Sequence, residues 1–141
     1  MKAFHFTLER VLEWRAAQLL VEEAKLRPLS ELVAAIQLTI ATLEQEEDKA
    51  RRGTYVDGWE LKALEAYCGQ TAKQKQALRA RLLEAQKQLI AQREKLLVAR
   101  REHRLIEKLR ERRVTEWVAE SNKEVEQNAS ESYLARFNRE K

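Results

Sequence analysis

The chain has 141 residues, 35% of them charged, with 27 Lys and Arg against 23 Asp and Glu, and it contains 3 Gly, 1 Pro and 1 Cys. Compact folds use about 7% Gly and about 5% Pro, so this chain lacks the turn residues that a sandwich, a barrel or a doubly wound sheet needs at its corners. Most of the remainder is Ala, Leu, Glu, Lys, Arg and Gln, strong helix formers, which points to a single helical or coiled-coil domain over residues 1–141. The lone cysteine excludes an internal disulfide. No run of about 18 apolar residues is evident and the N-terminus lacks the apolar core of a secretory signal, so a soluble cytoplasmic protein with no direct membrane insertion is expected.

From Leu8 the apolar residues recur at alternating steps of four and three. The series is Leu8, Leu12, Arg15, Leu19, Glu22, Leu26, Leu29, Val33, Ile36, Ile40, Leu43, Glu47 and Ala50. An unslipped register of this kind is a coiled-coil seam, narrower than the stripe of a globular helix. It predicts a first helix over about residues 7–52, with Thr7 as candidate N-cap. Pro28 removes one backbone donor and crowds the preceding turn, which predicts a kink there rather than an end, because the register continues past it.

Gly53, Thr54, Tyr55, Asp57 and Gly58 form the one cluster of turn residues and predict a turn at about 53–58. A second seam follows through Leu61, Leu64, Cys68, Thr71, Lys75, Leu78, Leu82, Ala85, Leu89, Gln92, Leu96, Ala99, His103 and Ile106. It predicts a second helix over about residues 59–125. Asn122, Asn128, Ser130 and Ser132 predict a frayed C-terminus.

Two long seams joined by one short turn predict an all-α fold, a long antiparallel two-helix coiled-coil hairpin. Folding about a tip near residue 55 sets residue i opposite roughly residue 111 minus i. On that count Val114, Trp117, Val118 and Val125 lie beyond the reach of the first helix and lack an intramolecular partner. Charge divides unevenly: residues 1–50 carry 6 basic and 9 acidic side chains, whereas residues 79–113 carry 12 basic and 5 acidic. Opposite signs favour the antiparallel pairing, although exposed pairs contribute only a few tenths of a kcal/mol each.

Nothing in the chain carries an obvious catalytic constellation. His5 and His103 have no Cys or acidic pair at metal-ligand spacing, Cys68 occupies a seam position, and a two-helix hairpin offers no deep pocket. A non-enzymatic protein without cofactor or metal is expected. The basic run Arg93–Arg113 admits three readings: a solvated helix face, a nucleic-acid-binding basic coiled coil, or a face that meets an acidic protein surface. Glu94, Glu102, Glu107 and Glu111 interrupt the run and argue against nucleic acid. Trp59 and Tyr67 near the turn either pack on each other or present a contact patch, since Trp and Tyr dominate binding hot spots.

The opening FHFTLERVLEWRAAQ (Phe4–Gln18) resembles the start of the FliJ family, and LLVARREHRLIEKLRERRVTEW (Leu96–Trp117) resembles that family's second-helix signature. The resemblance extends to the length, the turn position and the order of the hairpin. The chain departs from the family near its end, where Ala129, Ser130, Glu131, Ser132 and Tyr133 stand in place of an Asp-Glu pair.

The resemblance implies a stalk-like coiled coil of the flagellar type III protein export apparatus, serving motility. It would be cytoplasmic and peripheral to the inner membrane. Implied partners are a hexameric export ATPase, an export gate protein and export chaperones, with self-association a further expectation. A similar injectisome stalk protein, or a nucleic-acid-associated basic coiled coil, is the alternative. The contact with the ATPase ring is expected at the open end, through Phe4, Phe6, Val11, Arg15, Arg100, Arg101, Arg104, Lys108, Arg112, Arg113 and Trp117. The contact with the gate is expected near the tip, through Leu43, Glu47, Tyr55, Trp59, Tyr67 and Thr71.

Overall fold

The computed structural model describes residues 2–140. Its helices are α1 (Glu9–Arg51) and α2 (Gly58–Glu140), and no strand occurs among the described residues. The fold is all-α, with the two helices packed against each other as a hairpin.

α1 begins two residues after Thr7. The Glu9 amide donates to the Phe6 carbonyl (3.2 Å) and the Leu12 amide to the Leu8 carbonyl (2.9 Å). Glu9 sits in the first turn and Lys49 and Arg51 in the last, each sign placed where the helix dipole favours it. The helix runs through Pro28 without ending. After Arg51 the Gly53 amide reaches the Ala50 carbonyl (3.3 Å), and the Tyr55 hydroxyl donates to the same oxygen. Gly53 is needed for that approach: an added Cβ would lie 3.1 Å from the Tyr55 hydroxyl and 3.3 Å from the Ala50 oxygen.

α2 opens on a reciprocal cap. The Asp57 carboxylate accepts the Glu60 amide (2.9 Å) and the Glu60 carboxylate accepts the Val56 amide (2.8 Å), a close relative of the capping box. The signal was present as Asp57-x-x-Glu60 just ahead of the second seam. The expected fraying from about residue 126 is not observed, since α2 continues to Glu140. No Gly or Pro follows Gly69, and Asn and Ser each cost a helix less than about 0.7 kcal/mol, too little to end it among strong formers.

Packing divides the chain into two units, Leu20–Leu97 and a second made of Met1–Leu19 with Val98–Lys141. In Leu20–Leu97 the core is Val33, Ile36, Ala85 and Leu89, flanked by Leu26, Leu29, Ile40, Leu78 and Leu82, all from the two predicted seams. Within the other unit Phe6 and Ala99 are buried. Along α1 every seam position from Leu8 to Ala50 is buried or half-buried; along α2 every one except Leu61 is.

The counted register is corrected. Glu44 would face residue 67 but pairs with Arg79 (3.3 Å), and Glu47 would face residue 64 but pairs with Lys75 (2.7 Å). In the other unit Glu9 would face residue 102 but pairs with Arg110 (3.1 Å). Every shift runs toward the C-terminus of α2. The cause is the linker: Thr54–Val56 is not a tight turn, and Tyr55 lies beside Glu60, Ala63, Leu64 and Tyr67 of α2's opening turns. Those turns therefore project past the end of α1, which leaves Trp59 83% and Leu61 55% exposed.

A second correction concerns hydropathy. α1 does contain a stretch long and apolar enough, by length and composition, to cross a bilayer. Between Pro28 and Leu43 the sole charged residue is Glu31. The apolar character comes largely from the seam itself, with Val33 and Ile36 buried against α2.

Candidate partner-binding sites

Residues 2–6 precede α1 without helical structure and lie on α2 as a short strap. Phe4 meets Trp117 edge to face at 6.0 Å and 62°. The Arg110 guanidinium stands 5.6 Å over the Phe4 ring, and the Trp117 indole N–H donates to the Lys2 carbonyl (3.3 Å). Phe6 is buried, and Glu9 pairs with Arg110 (3.1 Å). About two turns further along, Arg15 pairs with Glu102 and stacks over Trp14 at 4.7 Å.

This overturns the uncovered status given to Trp117. Extended chain advances about 3.3 Å per residue against 1.5 Å in a helix, so a few strap residues carry cover well past the start of α1. Phe4 and Trp117 are thereby brought together on one another; Phe6 is 6% exposed and has little surface left for a partner, while Arg15 is engaged apart from them by Glu102 and Trp14. Val114 is half-buried, while Val118 and Val125 are exposed as expected.

The remaining open-end residues face solvent. Val11, Arg100, Arg101, Arg104, Lys108, Arg112 and Arg113 are exposed, Arg113 with Glu116 at 3.7 Å. Arg100, His103, Arg104 and Lys108 line a shallow groove with Leu19, Glu107 and Glu111. The His103 Nδ1 lies 3.5 Å from the Glu107 carboxylate, a pair that is ionic when the imidazole is protonated.

Near the tip the predicted set separates by burial. Glu47 and Thr71 are buried in the seam and Leu43 is half-buried, so these three serve the hairpin and leave little to a partner. Glu47 accepts from Lys75 and from Arg51, both at 2.7 Å. The Lys75 hydrogen bond above all, helped by the charges of Lys75 and Arg51, holds the Glu47 carboxyl below its ordinary value near 4.5 despite the opposing effect of burial. The same direction applies to Glu22, where the hydrogen bond from the buried Gln92 side chain is the main cause. Gln92 also donates to the Glu22 backbone carbonyl (3.1 Å). The seam pattern located both residues, but not their bond.

Trp59 and Tyr67 make no ring contact with each other among the described residues, so the self-packed tip is not formed. Trp59 has only Lys62 over its ring, at 6.0 Å. Tyr55 and Tyr67 share a groove with Ala50, Thr54, Glu60, Ala63 and Leu64. Among the described residues no group of three or more His, Cys, Asp or Glu side chains is arranged to hold a metal ion. Comparison with family models, with curated proteins and with solved structures returns no match.

Proposed function

We propose that this chain is a non-enzymatic coiled-coil stalk of the flagellar type III export apparatus, cytoplasmic and peripheral to the inner membrane. One end binds a hexameric export ATPase and the tip binds an export gate protein. The observation that carries the reading is the meeting of the two segments that resemble the FliJ family. Phe4–Gln18 and the Val98–Trp117 part of the second segment, about eighty residues apart, pack together through Phe4–Trp117, Glu9–Arg110 and Arg15–Glu102. Any antiparallel hairpin of this length brings the two segments to one end; what supports the reading is that aromatic and charged residues belonging to the resembling segments pair with one another there.

In this reading the protein contributes shape and charge. A stiff antiparallel pair transmits asymmetry around a ring without a catalytic group of its own. Arg101, Arg104, Lys108 and Arg112 steer and orient the encounter, and Tyr55, Trp59 and Tyr67 form the gate face. Export chaperones are further partners on this reading. The test is ATP hydrolysis by the export ATPase with and without the full chain. Stimulation by the wild type and its loss in Arg101→Glu with Arg104→Glu support the proposal; equal rates in all three conditions refute it.

A further inference from the structure

In the unit that joins Met1–Leu19 to Val98–Lys141, the side of α2 turned away from α1 carries a pattern of its own. At 3.6 residues per turn, Val98, Arg101, Arg104, Leu105, Lys108 and Arg112 fall within about a third of the helix circumference. Ala99, His103, Ile106 and Arg110, which are buried or half-buried, lie on the opposite side. Val98 is 50% and Leu105 67% exposed, and the four cations are exposed. None of the four is ion-paired among the described residues. Of the neighbouring carboxylates Glu102 holds Arg15 and Glu107 faces His103, while Glu107 and Glu111 share a shallow groove with Arg104 and Lys108 without an ion pair to either among the described residues.

Two aliphatic side chains seven residues apart repeat the interval at which one helix seats against another. All four cations lie along one side of them on the helix surface. A phosphate backbone would use the charge and leave Val98 and Leu105 in water. In a second copy, residues 79–113 repeat the same sign and Glu9, Glu44 and Glu47 are already paired with α2 cations; its segment 114–140, with 6 acidic against 3 basic residues, is what offers carboxylates. We infer that this stripe docks an acidic amphipathic helix of a partner protein, about two heptads long. Its apolar ridge covers Val98 and Leu105, and its carboxylates meet Arg101, Arg104, Lys108 and Arg112. The inference rests on the reading of this end as partner-binding and adds the chemistry of what binds there.

The test uses the full chain and synthetic peptides of about three heptads, without the ATPase. One is helical, with leucines on a heptad ridge flanked by Glu. Its controls have Lys in place of Glu, or the same acidic composition with the ridge scrambled. Binding of the acidic ridge peptide is expected, about tenfold weaker for Leu105→Ser, and lost for Arg101→Glu with Lys108→Glu, which gains affinity for the Lys peptide. Unchanged helical circular dichroism certifies the fold of each variant. No binding of the acidic ridge peptide overturns the inference. So does equal binding of the scrambled peptide, or tighter binding of a short DNA duplex that Leu105→Ser leaves unaltered. Dimerisation of the chain alone in sedimentation would assign the stripe to segment 114–140 of a second copy and likewise overturn the inference. Peptide binding without ATPase stimulation retains the docking face and removes the stalk reading; stimulation without peptide binding does the reverse.

Discussion

At the scale of single residues the most constrained group is the Glu47 carboxylate. It is buried yet charged because Lys75 and Arg51 both reach it at 2.7 Å. Since its folded-state pKa lies below the ordinary value near 4.5, the stability it contributes is full above that value and is lost as pH falls through the lowered one. Urea unfolding should therefore show a stability decline below about pH 4.5 that is smaller in Glu47→Gln, with the variant less stable at pH 7. Identical pH profiles would mean that the carboxylate is indifferent to folding. Gly53 offers a second test. The Cβ of Gly53→Ala would crowd the Tyr55 hydroxyl off the Ala50 carbonyl, a loss of about 1 kcal/mol. Tyr55→Phe should lower stability by a similar amount, and the double variant by little more than either. Additive losses would assign the two residues separate roles.

At the scale of the helices, the seam decides where substitutions matter. Ile36 is 5% exposed and Leu38, two residues along, is 69% exposed. Ile36→Ala should lower stability by about 2–4 kcal/mol, and Leu38→Ala by no more than about 0.5 kcal/mol, read from denaturant midpoints. Similar losses would mean that α1 packs on a different face. This contrast was legible in the sequence, since the four-three spacing marks Ile36 and excludes Leu38. The register was not. Counting from the turn residues assumes a tight reversal, whereas the Tyr55 hydroxyl ties the linker to the Ala50 carbonyl of α1, its ring shares a groove with the opening turns of α2, and the observed pairs are displaced toward the C-terminus of α2. The aromatic pair Phe4–Trp117 was hidden for the same reason, because periodicity describes helices and the strap is not one. Spacing alone also could not distinguish Glu47, a paired seam carboxylate, from a surface contact.

For the whole molecule the informative asymmetry is between packed and unpacked helix. Residues 79–113 supply an excess of 7 positive charges, part of it used against α1 by Arg79–Glu44 in one unit and Arg110–Glu9 in the other. Beyond Ser121 every described residue of α2 is exposed. The helix there rests on local propensity and i, i+4 neighbours, which in water sustain a segment of this length only marginally. Val125, Tyr133 and Leu134 lie exposed along it, so these three side chains add little to the stability of the hairpin. Truncation after Ser121 should leave the unfolding midpoint within about 0.5 kcal/mol of the full chain. Helical signal should fall by less than the number of removed residues implies. Amide exchange in the full chain should report the same division, slow at Val33 and Ile36 and fast beyond Asn122. A truncated chain that unfolds at lower denaturant would show that the tail supports the packed helices, and protection beyond Asn122 in the free protein would show that something already covers it.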